Sequence, residues 1–289
     1  MALEFQYSTK NPLHPVAYVA FGAMHTHIEC IVTDIDEQEA RKLAEHVERE
    51  VRGMERRFNR FDSRSPLAVL NACARQESVV VDDELFMALE LCEAFRRGTA
   101  GYFDIATSSS VDGMLSYTLD AKQHSVRYVH PDITLDMGGF AKGFALERVQ
   151  TMVRDTAAGA ALINFGNSSI AALGHHPYGE WWPVGVEHSR ESGVMAYQVQ
   201  LCDSAMSVSG RTPRGEYHIV NPHTGSTVAS SELVVVEGRS ALVAEVLSTA
   251  LYAAPRSQRV EIIEQYAGYR ATELYCGAGG SCRQQRVER

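Results

Sequence analysis

The chain has 289 residues and a formal net charge of −9, with 45% apolar and 22% charged residues. Such a composition is typical of a globular protein with one large domain or two closely packed halves. The acidic balance argues against nonspecific nucleic-acid binding, which requires clustered lysine and arginine side chains. No apolar run reaches the roughly 20 residues of a membrane span, and the first residues show neither a secretory signal nor a lipoprotein cysteine. These features predict a cytoplasmic protein without a membrane span.

The six cysteines are spread through mostly apolar segments and include no CxxC pair. This spacing argues against a zinc site, and we expect buried free thiols. Cys276 and Cys282 flank a glycine-rich stretch near the end of the sequence, where a disulfide is the alternative.

Hydrophobic periodicity predicts strands and helices that do not follow a strict βαβ order. The predicted strands are 16–34, 160–165, 169–173, 194–209, 216–221, 232–237 and 270–276, with a hairpin-like stretch at 177–179 leading into 181–184. The predicted helices are 37–58, 83–98, 140–154, 240–253 and 256–267. This order predicts a mixed α/β (α+β) fold without an obvious domain boundary.

The first candidate site is the junction between a strand-like run, Ile133–Met137, and the helix that follows it. The glycine pair Gly138 and Gly139 lets a ligand approach the backbone closely, and the start of a helix presents free N–H groups to anions. Lys142 adds a positive charge one turn into the helix, and Asp136 precedes the glycines. The alternative is an ordinary strand-to-helix turn with a solvated lysine.

The predicted helix at 240–253 carries a second candidate site. Glu245, Ser248 and Thr249 follow an i, i+3, i+4 spacing that stacks their side chains on one helical face. A carboxylate beside two hydroxyls suits a hard cation such as Mg²⁺, which prefers oxygen ligands. The alternative is a half-exposed glutamate with two hydroxyls bonded back to the helix backbone.

Two further segments place titratable side chains next to turns. Asp104 follows a predicted helix end within Gly101–Ile105, where capping the turn is its alternative role. His218 lies on a predicted short strand that leads into the turn sequence Asn221–Gly225. The alternative for this histidine is a structural role, as for most isolated histidines.

Taken in this order, the segments resemble the FAD:protein FMN transferase family, the ApbE-like flavin transferases. The resemblance spans Met24 to about Tyr252. The matching segments are Met24–Thr26, Phe58–Asn71, Gly101–Ile105, Asp136–Gly143, Leu162–Gly166, Ser209–Gly210, His218–Gly225 and Glu245–Thr249. The resemblance implies a single ApbE-like domain over residues 1–289, with a ligand cleft between two tightly packed halves.

The activity that the resemblance implies is Mg²⁺-dependent transfer of FMN from FAD to a serine or threonine hydroxyl of an acceptor flavoprotein, with release of AMP. Two alternatives remain, an FAD pyrophosphatase that yields FMN and AMP, and a non-catalytic FAD-binding relative. This sequence contains no complete acceptor motif, so a separate protein is expected to accept the FMN.

The resemblance also implies roles for individual residues. FAD contacts are implied at Met24, Phe61, Tyr102, Phe103, Asp104, Asp136, Lys142 and His218. Ligation of Mg²⁺ is implied for the Gly139 carbonyl, Glu245, Ser248 and Thr249. His218 is the candidate for accepting or orienting the proton of the incoming hydroxyl, with Asp104 as the alternative.

The chain departs from the family pattern in three places. Glu245 replaces an aspartate, and its extra methylene moves the carboxylate by roughly an ångström, although Mg²⁺ demands strict geometry. Asn221 replaces an aspartate before the proline, which removes a negative charge. The segment Gly166–Ser168 replaces a glycine pair, so the backbone is expected to turn differently there.

Overall fold

The computed structural model describes residues 2–106, 116–210, 218–230 and 232–289. Its helices are α1 (Glu37–Phe58), α2 (Pro66–Cys73), α3 (Asp83–Gly98), α4 (Ala141–Arg154), α5 (Ala241–Ala253) and α6 (Arg256–Glu264). Its strands are β1 (Glu4–Ser8), β2 (Val16–Ala23), β3 (Thr26–Thr33), β4 (Val79–Val80), β5 (Tyr117–Asp120), β6 (Ser125–Tyr128), β7 (Ala160–Phe165), β8 (Ser169–Leu173), β9 (Trp182–Glu187), β10 (Met195–Leu201), β11 (Ser204–Gly210), β12 (Val220–Asn221), β13 (Ser226–Thr227), β14 (Glu232–Gly238), β15 (Arg270–Cys276) and β16 (Cys282–Arg286).

The largest sheet is antiparallel throughout and runs in the order β1-β2-β3-β7-β8-β11-β14-β15-β16. Helices α1, α4 and α5 pack on one face of this sheet. Hairpin β9–β10 covers the other face through apolar side chains that include Trp182, Val184 and Val199. Strands β4, β6 and β5 form a separate small sheet that shares its apolar core with α2 and α3. The predicted mixed α/β class is confirmed.

Helix α1 shows why the periodic pattern predicted the longer helices well. Its apolar residues recur every three or four positions and are buried in the main core, as at Leu43, Val47, Val51 and Met54. The Asp36 side chain caps its first turn by accepting a backbone hydrogen bond of 2.9 Å. Helices α1 and α3 begin and end at the predicted residues.

Two predicted strands are divided by turns. The 16–34 stretch is a hairpin of β2 and β3, because Met24 and His25 turn the chain with positive φ angles of 53° and 58°. Residues 194–209 form β10 and β11, which separate where Asp203 has a φ of 45°. The alternation of apolar residues continues on both sides of each turn, so the sequence pattern did not indicate these breaks.

The predicted strand at 216–221 is shorter than expected. Residues 216–217 lie outside the described residues, and His218 is not in a strand. Among the described residues 218–221, Val220 and Asn221 pair with β13. The strand ends there because the chain turns back at once, with a hydrogen bond of 2.9 Å from the Gly225 N–H to the Asn221 carbonyl.

Other boundaries differ by a few residues, and several short elements were not predicted. The helix expected over 256–267 ends at Glu264, and the chain then turns at Gly268 with a φ of 84°. The helix expected from residue 140 begins at Ala141. Elements β1, α2, β4 to β6 and β16 are two to eight residues long and show too few positions for a clear period.

All six cysteines are free thiols. Those that are buried, as expected, are Cys30, Cys92 and Cys276, whereas those that are partly exposed are Cys73, Cys202 and Cys282. Within the described ranges, no helix combines the length and the apolar character that a membrane crossing requires.

Candidate functional site

Serine hydroxyls from neighbouring strands meet on one side of the large sheet. Ser169 of β8 and Ser207 of β11 are direct cross-strand partners, so their side chains lie on the same face. Ser209 lies two residues beyond Ser207 and faces the same side, where helix α5 packs. The result is a buried polar cluster within an otherwise apolar layer.

Helix α5 directs Glu245 into this cluster. Its Oε2 accepts hydrogen bonds from the hydroxyls of Ser169 and, over 2.8 Å, of Ser207. The other oxygen, Oε1, lies 3.2 Å from the ammonium nitrogen of Lys142, and only 5% of the glutamate side chain is exposed. These contacts replace the water that a buried carboxylate loses. The long glutamate side chain thereby joins two strands of the sheet to helix α4.

Ser248 and Thr249 have different surroundings. Ser248 Oγ lies 3.0 Å from Ser207 Oγ and 2.8 Å from Ser209 Oγ. It also donates to the Glu245 carbonyl over 3.0 Å, which is the bond to the helix backbone expected under the alternative interpretation. Thr249 Oγ1 makes a longer contact of 3.3 Å with Ser209 Oγ. The other part of that alternative, a half-exposed glutamate, is wrong because Glu245 is buried.

Two glycines set the distance between α4 and α5. A Cβ atom at Gly143 would lie 2.6 Å from the Cβ of Glu245, so any larger residue would push the helices apart. A Cβ atom at Gly139 would lie 3.3 Å from Thr249 Cγ2. This close packing places Lys142 beside Glu245 and Gly139 beside Thr249.

Lys142 has three polar partners. Its Nζ donates to Ser168 Oγ over 2.6 Å and to Ser169 Oγ over 3.3 Å, in addition to the ion pair with Glu245. The lysine is therefore not the solvated side chain of the alternative interpretation. Ser168 belongs to the turn at residues 166–168, and its hydroxyl helps to hold the ammonium group.

The amide of Gly138 is not a free donor for anions. Its N–H donates to Asp136 Oδ1 over 2.9 Å, while Asp136 Oδ2 lies 3.1 Å from Arg60 Nε. The Arg60 guanidinium lies 4.5 Å from the centre of the Phe61 ring, which is 76% exposed. Asp136 thus ties the start of α4 to an exposed aromatic side chain. This contact corrects the expectation that both glycines present free N–H groups.

Buried Asn71 of α2 fixes the backbone before Asp136. Its Oδ1 accepts a hydrogen bond of 2.8 Å from the Leu135 N–H, and its Nδ2 donates to the Leu135 carbonyl over 3.0 Å. The Asp136 N–H donates to the Ile105 carbonyl over 2.8 Å, which joins this segment to the loop containing Asp104. Asn71 is a positioning residue to which the sequence assigned no role. The sequence feature that could have indicated this role is a single amide side chain in an otherwise apolar helix.

Asp104 combines a capping contact with burial. Its Oδ1 accepts a hydrogen bond of 2.8 Å from the Ala106 N–H, as expected for a turn cap. Burial raises the pKa of the Asp104 carboxyl, while the bond from Ala106 and the charge of Arg96 oppose this rise. A carboxyl with a raised pKa can exchange a proton closer to neutral pH than an exposed aspartate can.

Phe103 and Tyr102 are neighbours with different exposure. Phe103 is 2% exposed, and its ring lies 3.5 Å from where a Cβ of Gly139 would be, so it supports the site from the core. Tyr102 is half-buried, and its ring centre lies 4.4 Å from that of His223. His223 Nε2 also donates to the Ala100 carbonyl over 3.0 Å, which joins two loops. The sequence had suggested no role for His223.

Asn221 holds the turn that carries His223. Its Oδ1 accepts a hydrogen bond of 2.9 Å from the His223 N–H, and its Nδ2 donates to the Ala253 carbonyl over 3.0 Å, at the end of α5. A carboxylate cannot donate such a bond, so the amide of Asn221 has a structural role that an aspartate could not fill. His218 lies three residues earlier, in an exposed segment.

The structure brings some of the predicted residues together and places others on separate loops. One contiguous cluster contains Gly139, Lys142, Glu245, Ser248 and Thr249. Phe103 lies beneath it, and Tyr102, Asp104 and Asp136 lie on the adjoining loops. Met24 lies at the β2–β3 turn, where its N–H donates to Glu55 Oε1 over 2.6 Å.

The cluster fits a hard divalent cation in its chemistry. It offers carboxylate, hydroxyl and carbonyl oxygens, which Mg²⁺ prefers as ligands. Glu245 Oε1 has one cationic partner in the protein itself, the ammonium group of Lys142 at 3.2 Å. In the described parts of the chain, no group of three His, Cys, Asp or Glu side chains is arranged to hold a metal ion. Hydroxyl and carbonyl oxygens would therefore have to complete the protein ligands around Glu245.

Two curated proteins are similar to this chain in sequence. The FAD:protein FMN transferase of Treponema pallidum (strain Nichols) is 25% identical, with coverage of 75% of this chain and 72% of that protein. The FAD:protein FMN transferase of Klebsiella pneumoniae (strain 342) is also 25% identical, with coverage of 65% and 62%.

Solved structures share the fold. The ApbE protein of Thermotoga maritima superposes with a TM-score of 0.78 at 20% identity and covers 97% of both chains. The flavin transferase ApbE of Vibrio cholerae superposes with a TM-score of 0.75 at 14% identity, over 99% of this chain and 97% of that one. The ApbE family model matches residues 24–272, most of the sequence. The chain therefore belongs to the ApbE family.

Proposed function

We propose that this chain transfers FMN from FAD to a serine or threonine hydroxyl of an acceptor protein and releases AMP, with Mg²⁺ as the metal. Both curated relatives are named FAD:protein FMN transferase. The observation that carries the proposal is the pairing of Lys142 with Glu245 at the glycine-lined start of α4, beside Thr249. A positive charge next to a cation site is what catalysis at a diphosphate requires.

The diphosphate of FAD binds at the cluster between α4 and α5. Lys142 contacts the phosphate oxygens, and the Gly139 carbonyl, Glu245 and Thr249 would hold the metal ion. Ser248, the fourth predicted ligand, supports this set from the buried hydroxyl network. When bound, Mg²⁺ would neutralise the negative charge that builds up on the phosphate oxygens.

The flavin ring binds against the neighbouring loops. Exposed Phe61 and half-buried Tyr102 provide aromatic walls, and Phe103 supports them from the core. Asp136 holds the segment that precedes α4 and, through an arginine, the Phe61 side chain. Met24, at the β2–β3 turn, is a further proposed FAD contact.

The reaction is a substitution at phosphorus. The acceptor hydroxyl oxygen attacks the FMN phosphorus, the bond from that phosphorus to the bridging oxygen breaks, and AMP leaves. The proton of the hydroxyl passes to His218, which is exposed and precedes strand β12. Asp104 is the alternative acceptor, because burial raises the pKa of its carboxyl. Lys142 and the turn at Asn221 contribute to catalysis by positioning the reacting groups.

Residues 1–289 act as one domain in this proposal. A continuous apolar core extends from Ala17 of β2 to Ala250 of α5 and includes the start of α4. The acceptor is a separate protein that carries the serine or threonine to be modified.

The test combines the protein with FAD, Mg²⁺ and an acceptor protein that carries a flavinylation motif. We expect covalent flavin on the acceptor, detected by fluorescence in a denaturing gel and by mass, and none on an acceptor whose target hydroxyl is removed. Lys142→Met should abolish the product, whereas Lys122→Met, in an exposed turn of the small sheet, should not. Free FMN and AMP without an adduct would indicate a pyrophosphatase, and bound intact FAD would indicate a non-catalytic relative.

A further inference from the structure

The ion pair between Lys142 and Glu245 restricts how a metal ion can reach the carboxylate. Glu245 Oε2 accepts hydrogen bonds from the hydroxyls of Ser169 and Ser207, which leaves Oε1 as the oxygen available to a cation. The Lys142 ammonium nitrogen lies 3.2 Å from this Oε1. One oxygen atom is therefore the contact point for both positive charges.

The lysine is the more accessible member of this ion pair. The Lys142 side chain is 25% exposed, whereas that of Glu245 is 5% exposed. The hydroxyls of Ser168 and Ser169 hold the ammonium group there, at 2.6 Å and 3.3 Å. A metal ion that arrives from solvent must displace this group, because two cations at one oxygen repel each other.

We propose that Lys142 is an internal competitor of the divalent cation for Glu245, and that the diphosphate of FAD relieves the competition by drawing the ammonium group away. This inference rests on the proposed function of the same site. Because coupling between two ligands is reciprocal, Mg²⁺ and FAD then raise each other's affinity. The same lysine serves as a counter-ion in the free protein and as a phosphate ligand in the complex.

The test measures Mn²⁺ binding without FAD, from the loss of the free-ion signal in electron paramagnetic resonance. Mn²⁺ shares the oxygen preference of Mg²⁺. Binding that is lost in Glu245→Gln defines the site. We expect Lys142→Met and Lys142→Gln to bind Mn²⁺ about tenfold more tightly than the natural sequence, since a charged hydrogen-bonded competitor is removed. Lys142→Arg should keep the weak binding, and Lys122→Met controls for the change in net charge.

A second titration adds FAD. FAD should tighten Mn²⁺ binding in the natural sequence more than in Lys142→Gln, which retains polar contacts with the serines but carries no charge. Unfolding midpoints of all variants verify that the fold is intact. Equal Mn²⁺ affinity in the natural sequence and both neutral variants would overturn the inference and leave the proposed metal site in place. Absence of any Glu245-dependent binding would overturn the metal site as well.

A separate observation concerns two thiols far along the chain. Cys276 of β15 and Cys282 of β16 are direct cross-strand partners, and their Sγ atoms lie 3.4 Å apart. Opposed residues of antiparallel strands have Cα atoms about 4.5–5.5 Å apart, which a disulfide can span. Cys276 is buried and Cys282 is partly exposed, so a reagent reaches Cys282 first.

We infer that this pair is a redox-active dithiol that a small disulfide, such as oxidised glutathione, converts to an intramolecular disulfide. The Cys282 thiolate attacks one sulfur of the reagent and releases one thiolate. Cys276 then loses its proton and attacks Cys282 Sγ, which releases the second thiolate. Two protein thiols are oxidised and one small disulfide is reduced to two thiols. Burial raises the pKa of Cys282 to about 12, so the exchange should accelerate as pH rises.

Trypsin makes this inference easy to test. No lysine or arginine lies between residues 271 and 282, so both cysteines fall in the peptide Ala271–Arg283. After treatment with oxidised glutathione and alkylation, we expect this peptide to be unalkylated and two hydrogen atoms lighter than its reduced form. Cys202, which lies beside a histidine ring, serves as a partly exposed control that should acquire a glutathione adduct instead. An adduct or alkylation at Cys276 or Cys282 would overturn the inference.

Discussion

Gly143 of α4 and Glu245 of α5 approach so closely that a Cβ atom at the glycine would lie 2.6 Å from the Cβ of the glutamate. The residue before this glycine is Lys142, whose ammonium group pairs with the same glutamate. This close approach of the two helices therefore adjoins the ion pair of the candidate site. Any residue that separates the helices should also separate the charges.

Gly143→Ala should lower the free energy of unfolding by about 1–3 kcal/mol, since an added methyl group overpacks the interface. It should also weaken FAD binding, because Lys142 and Glu245 move apart. Urea unfolding and FAD titration measure the two effects. Gly53→Ala in α1 is the matched control, because its Cβ would meet only one atom, at 4.0 Å. That control should be neutral or stabilising by up to about 1 kcal/mol. Equal behaviour of the two variants would contradict the role assigned to Gly143.

The elements that the sequence predicted best are those whose buried face is long enough to repeat. Helix α1 buries a stripe of apolar residues from Ala40 to Phe58, and its limits follow from that stripe and from the cap at Asp36. Strands β10 and β11 merged into one prediction because the left-handed turn at Asp203 needs no glycine or proline. The order of the nine strands in the large sheet, as described, depends on pairings distant in sequence, which periodicity does not encode.

The candidate site was predictable on the helices and not on the strands. The spacing of Glu245, Ser248 and Thr249 on α5 pointed to one polar face, and the glycines before Lys142 pointed to the start of α4. The partners Ser169 and Ser207 could not be foreseen, because their contact with Glu245 depends on the register of β8 against β11. Pairing of the lysine with the glutamate likewise requires the tertiary packing of two helices.

Asn221→Asp should destabilise the protein near neutral pH by about 1–2 kcal/mol, because a carboxylate cannot donate the bond of 3.0 Å that Nδ2 makes to the Ala253 carbonyl. A carboxyl group that faces a carbonyl oxygen also has a raised pKa, because the two oxygens repel each other when the carboxyl is ionised. The loss should therefore shrink as the pH falls and the carboxyl regains a donor. Urea unfolding at several pH values measures this. A loss that stays constant down to acidic pH would contradict the role of the Ala253 bond.

Asp104→Asn should change the pH dependence of stability. Burial raises the pKa of Asp104 in the folded protein above its ordinary value, so the unfolded chain releases this proton at lower pH than the folded protein does. The contribution of Asp104 to stability therefore falls as the pH rises from the unfolded pKa through the raised folded pKa. Asparagine stays neutral and keeps an acceptor for the Ala106 N–H. The stability of the variant relative to the natural sequence should thus increase over this window, in urea unfolding from about pH 3 to pH 7. A relative stability that falls with pH would contradict the raised pKa.

His223→Ala should raise the KM for FAD about five- to tenfold with little change in kcat, because His223 supports Tyr102, a wall of the proposed flavin site. The variant loses the ring contact with Tyr102, at 4.4 Å between centres, and the hydrogen bond to the Ala100 carbonyl. His223→Gln retains a donor for that carbonyl, so its KM for FAD should lie between those of the natural sequence and His223→Ala. The control is His124→Ala, which removes a histidine stacked on Phe86 at 4.7 Å, on another loop, and should leave the KM unchanged. A fall in kcat at constant KM would show instead that His223 acts on the chemical step, since ground-state binding would then be intact.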